Sequence, residues 1–80
     1  MSVKATKGRP EQRVKLGHRI SELRFAAAKS QIDLAQEAGI SRAMMSAVEN
    51  GKYLPTLVSA KSLAKALGTT VDSLIDGIIE

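Results

Sequence analysis

Of the residue types that perform covalent chemistry, this chain of 80 residues holds almost none in a usable arrangement. There is no cysteine, which excludes thiol nucleophiles, thiolate zinc sites and disulfides together. The single histidine, His18, cannot build an imidazole metal cluster and reads as a surface residue of a helix. Asp72 and Asp76 stand one helical turn apart, as paired acid/base carboxylates would, but no basic partner accompanies them. They read as helix-capping and surface charges. No serine, histidine and aspartate arrangement is supported at any spacing. The sequence thus predicts no enzyme, no metal or other cofactor and no small-molecule ligand.

Binding chemistry is what remains, and charge points to its kind. Twelve Lys and Arg stand against eight Asp and Glu, a net +4. Residues 1–24 carry Lys4, Lys7, Arg9, Arg13, Lys15, Arg19 and Arg24 against Glu11 and Glu22, a net +5, while residues 25–80 come to −1. One basic end on a near-neutral body suits a polyanionic partner such as nucleic acid, although solubility alone explains it equally well. Only Phe25 and Tyr53 are aromatic, too few to stack the bases of a single strand. No apolar run approaches the roughly 18 residues of a membrane span, and the N-terminus lacks the apolar core of a signal peptide. These features predict a cytoplasmic protein of one small domain, with no membrane partner.

The elements that must position any binding group are helical. Residues 1–9 read as a flexible basic arm and residues 10–80 as one domain. Pro10 suits the first position of a helix, and Leu16, Ile20, Leu23 and Ala27 recur at helical spacing, predicting helix one over Glu11–Ala28. Gly17 within it costs up to about 1 kcal/mol relative to alanine. It is either tolerated or marks the close passage of a neighbouring helix, and we favour the second. Ser30 caps helix two, Gln31–Ala38, with Asp33 completing a short capping box and Gly39 ending it. Ser41 caps helix three, Arg42–Glu49, which stops at Asn50-Gly51. Pro55-Thr56 begins helix four, with Leu57, Ala60, Leu63, Ala64 and Leu67 inward. Thr70 caps a short fifth helix through Val71, Leu74 and Ile75, with Ile78 and Ile79 trailing. No stretch alternates like a strand, so the fold class is all-α, five short helices.

Two eight-residue helices joined by Gly39-Ile40-Ser41 cannot lie antiparallel. The connection turns the chain by roughly 90–120°, as in a helix-turn-helix. Ala35 permits the close crossing and Ile40 fills the turn. With Met45 and Val48 inward, Ala43, Ser46, Ala47 and Asn50 project outward at about 100° per residue, with Arg42 at the exposed first turn. Such a helix fits the DNA major groove, about 12 Å wide.

The stretch from Ser30-Gln31 through Leu34-Ala35 and Gly39-Ile40-Ser41 to Glu49-Asn50-Gly51-Lys52 resembles the lambda-repressor and Cro (XRE-type) family. The likeness continues through Pro55 and Ala66-Leu67-Gly68 to Val71-Asp72-Ser73-Leu74, covering about residues 15–76. It implies a compact five-helix DNA-binding domain with the helix-turn-helix over residues 31–50, from a prokaryote, phage or plasmid. It further implies base contacts from Arg42, Ala43, Ser46 and Ala47, and phosphate contacts from Ser30, Gln31, Ser41, Asn50, Lys52 and Tyr53. Arginine can grip guanine with two hydrogen bonds, or clamp a phosphate instead. Compared with relatives bearing glutamine or asparagine here, this helix offers few hydrogen-bonding groups, so DNA shape and deformability should carry a larger share of specificity. Glu49, acidic on a DNA-facing helix, matches a glutamate that pairs with a helix-one arginine, here Arg24.

One such helix reads only a few base pairs, and repressors of this shape place two across a two-fold axis about 34 Å apart. The sequence therefore predicts a homodimer on a two-fold-symmetric operator. The segment 70–80 supplies Val71, Leu74, Ile75, Ile78 and Ile79 as the interface, unless it folds back onto helix one. The function so predicted is a sequence-specific transcription regulator of the repressor or restriction–modification controller type. The alternative is an antitoxin-like protein of the same fold that works mainly through a protein partner.

Overall fold

A computed structural model describes residues 5–6 and 8–79. In chain order the elements are β1 (Ala5–Thr6), α1 (Pro10–Ala26), α2 (Gln31–Ala38), α3 (Arg42–Glu49), β2 (Leu54–Pro55), α4 (Leu57–Ala66) and α5 (Val71–Ile75). Local chemistry sets most of these bounds. At four helix starts a hydroxyl accepts from the backbone N–H three residues on: Ser30 from Asp33, Ser41 from Met44, Thr56 from Ser59 and Thr70 from Ser73. The Asp33 carboxylate accepts in return from Ser30 N, which completes the capping box before α2. Gly39, at φ 70°, takes the left-handed conformation that closes α2. Ile40 N donates back to Ala35 O, so the turn into α3 is short and fixed.

Leu16, Ile20, Leu34, Met45, Val48, Leu63 and Leu74 form the centre of the core, with Ala35, Ala38 and Ala64 where helices pass closely. Gly17 lies at the crossing of α1 and α3. A methyl group there would stand 2.7 Å from Glu49 O and closer still to Val48 O. The glycine is a contact surface for α3, the second of its two readings.

Several expectations are corrected. Helix one ends at Ala26, because Ala27 caps it and Ala28 turns left-handed at φ 57°; Ala27 is exposed, not core. Ala5–Thr6 pairs antiparallel with Leu54–Pro55, in the register Ala5 to Pro55 and Thr6 to Leu54. A strand pair therefore exists where none was expected, and this part of the arm is tied down. Lys4 and Lys7 lie outside the described residues. Pro55 belongs to β2, so α4 begins at Leu57, and Leu57 is 69% exposed instead of inward. Leu74 is fully buried in the chain's own core and cannot face a second copy. Arg19 explains why: its Nη1 donates to the carbonyls of Ser73, Leu74 and Asp76 and draws α5 onto α1. Val71, Ile75 and Ile78 pack partly buried against the same core.

Candidate nucleic-acid interface

α3 separates its faces as its periodicity requires. Met45 and Val48 are buried, whereas Arg42 and Ala43 are exposed and Ser46 and Ala47 half-buried on the outer side. Ser41, Asn50 and Lys52 are exposed, and Tyr53 is partly so. Asn50 Nδ2 donates to Ser46 Oγ at 3.2 Å, which couples two of the outward residues across one turn. Among the described residues neither the Arg42 nor the Lys52 side chain has a hydrogen-bond or ion-pair partner, so both cations are available to an outside anion.

Beneath this face, Arg24 and Glu49 make the pair that the resemblance implied. Arg24 Nε donates to Glu49 Oε2 at 2.6 Å and Nη2 to Oε1 at 2.9 Å, a two-pronged contact whose side chains are 9% and 4% exposed. Arg24 Nη1 also donates to Lys29 O, and its guanidinium lies 4.5 Å from the centre of the Phe25 ring. Burial pushes the Glu49 carboxyl up, but hydrogen bonds from Arg24 and Gln31, the Arg24 charge and Ser21 together hold it below its ordinary value. The hydrogen bond to Glu49 raises Arg24 against the opposing effect of burial. The carboxylate therefore stays ionised yet is neutralised inside the protein, and its charge does not reach the outer face of α3.

Gln31 is the residue whose surroundings the sequence did not disclose. Its Nε2 donates to Glu49 Oε1 at 3.2 Å, so the first residue of α2 is fastened to the last residue of α3. Arg13 was also passed over. Its Nε donates to Gly51 O and its Nη1 to Gly8 O, which anchors the segment carrying Lys52 and Tyr53 to the start of α1. No spacing in the sequence signals either contact, since each joins segments that meet only after folding.

Two short helices joined by a three-residue turn, α2 buried at Leu34, Ala35 and Ala38 and α3 with its outer face toward solvent, define a helix-turn-helix domain. The helix-turn-helix family profile matches residues 20–74. The chain belongs to this family, of the XRE type. It is 32% identical over 60 residues to the immunity repressor protein of Bacillus phage phi105, covering 75% of this chain and 42% of that protein. It spans half or less of the length of this and the Deinococcus deserti relative it also matches. Among solved structures, it resembles the restriction-modification controller protein C.AhdI from Aeromonas hydrophila at 39% identity and TM-score 0.73, covering 76% of this chain and 92% of that one. SinR, a master regulator for biofilm formation solved in complex with DNA, is similar at 27% identity and TM-score 0.71, over 76% and 98% of the two chains.

Proposed function

We propose that this protein is a transcription regulator of the repressor or controller type, binding a two-fold-symmetric operator in duplex DNA as a homodimer in the cytoplasm. The observation that carries the reading is the outward face of α3, small at Ala43, Ser46 and Ala47 and headed by Arg42, whose side chain has no partner among the described residues. Arg42 would reach a base edge while the small residues let the helix sit deep in the major groove. Ser30, Gln31, Ser41, Asn50, Lys52 and Tyr53 would meet phosphates, where helix N-termini and cations gain most. The face carries few hydrogen-bonding groups, so operator shape would contribute to specificity.

With Leu74 withdrawn, Val71, Ile75, Ile78 and Ile79 remain the candidates for the dimer contact. Sedimentation at high micromolar concentration should show a dimer, and a lone monomer would remove this part. The alternative role, masking a protein partner in the manner of an antitoxin, draws on Leu57 and Val58, 69% and 74% exposed at the start of α4. Selection of bound sequences from random duplex DNA tests the main proposal. It should enrich a motif with two-fold symmetry, its half-sites about 34 Å apart. A protein that retains no duplex at low ionic strength would overturn it.

A further inference from the structure

Among the residues assigned to phosphate contact, Gln31 has a side chain fastened to the buried ion pair. Its Nε2 donates to Glu49 Oε1, the same oxygen that accepts from Arg24 Nη2. Glutamine's nitrogen carries two hydrogens in one plane, so committing one to Glu49 fixes the direction of the other. A phosphate can only accept, and the second N–H is what this side chain has left to give it. Gln31 is the first residue of α2, and the first intrahelical bond of that helix runs from Leu34 N to Ser30 O. The backbone N–H groups of Gln31 and Ile32 precede that bond and have no acceptor within the helix.

We infer that Glu49 is a positioning residue for DNA-backbone binding. Held by Arg24, it anchors the Gln31 carboxamide so that one N–H is presented beside the amino end of α2 before DNA arrives. An unanchored glutamine gives up rotamer freedom each time it engages a phosphate, whereas here that ordering is completed on folding. The buried pair thereby links three helices, with Arg24 on α1, Gln31 on α2 and Glu49 on α3, and the inference rests on Gln31 meeting phosphate as proposed above.

The test is a double-mutant cycle on binding to a random-sequence duplex at low ionic strength, with folding followed by thermal melting. Glu49→Asp keeps the charge but withdraws the carboxylate, and should weaken binding about threefold to tenfold in the wild-type background. In a Gln31→Ala background the same change should alter binding less than about twofold. Equal losses in both backgrounds would mean that Glu49 acts on the fold alone, which overturns the inference. So would a Gln31→Ala variant with wild-type affinity and salt dependence, an outcome distinct from a wild-type protein that binds no DNA. Should the Asp variant fail to fold, the side-chain amide signals of wild-type Gln31 decide the matter by NMR. One proton should be shifted and slow to exchange in the free protein while the other moves on adding duplex; two averaged, mobile signals would refute the anchoring.

Discussion

Replacing Gly17 by alanine separates local propensity from tertiary packing by the sign of its effect. In an exposed helix interior the change would stabilise by up to about 1 kcal/mol. Here the new methyl group would lie 2.7 Å from Glu49 O, nearer to Val48 O, and ordinary contact begins at 3.4 Å. Both obstacles are backbone atoms, which cannot rotate away as a side chain would. α3 must back off α1 by about 0.7 Å or more, pulling Met45 and Val48 out of register with Leu16 and Ile20. Overpacking of this kind costs about 1–3 kcal/mol, which more than offsets the propensity gain. For a domain of this size each kcal/mol moves the melting temperature by about 4–8 °C. Gly17→Ala should therefore melt several degrees lower by calorimetry or circular dichroism, and displacement of α3 should weaken duplex binding as well. A variant that melts higher than the wild type would refute the reasoning, because it would mean that α3 does not press on this position.

Other outcomes follow from the same contacts. Glu49→Gln leaves the buried Arg24 without a counter-charge and should cost on the order of 3 kcal/mol, measured by urea unfolding at neutral pH. Because Glu49 titrates below its ordinary value, its contribution is present above that value and is lost as pH falls through the lower folded one. The stability gap between wild type and Glu49→Gln should accordingly narrow in acid. Arg42→Ala should relax base preference at one operator position by about 1–3 kcal/mol, whereas Lys52→Ala should weaken all sequences alike and lower the salt slope by about 1. Deleting residues 1–7 should also lower the salt slope and, by removing the partner of β2, speed hydrogen exchange of the Leu54 amide; Lys4→Ala with Lys7→Ala should change the slope alone.

The helix-turn-helix was legible because its determinants lie within a few residues of the elements they set. Ser30, Gly39 and Ser41 fix the bounds of α2 and α3 through local caps, and the observed bounds coincide with those expected. Gly17 was legible for a related reason, since an unbranched gap in an amphipathic helix leaves room for a neighbour. What escaped depends on contacts between distant segments. The β1–β2 pair has only two residues a side and no alternation to betray it. Periodicity placed Leu57 and Leu74 equally inward, yet the first sits on the opening turn of α4 in solvent and the second is drawn in by Arg19. An arginine that recognises backbone carbonyls leaves no pattern in side-chain types. The same holds for Gln31, whose partner lies at the far end of another helix.

The ladder between Ala5–Thr6 and Leu54–Pro55 has a kinetic consequence. It joins positions about 50 residues apart through two residue pairs, about twice the 25-residue separation that Arg24 and Glu49 span between α1 and α3. So small a contact closing so long a loop should form after the helical core. It should also open before the helical core does, loosening Leu54 where that side chain packs on the core. A polyanion or a protease that pulls on β1 therefore meets a small latch ahead of the helices.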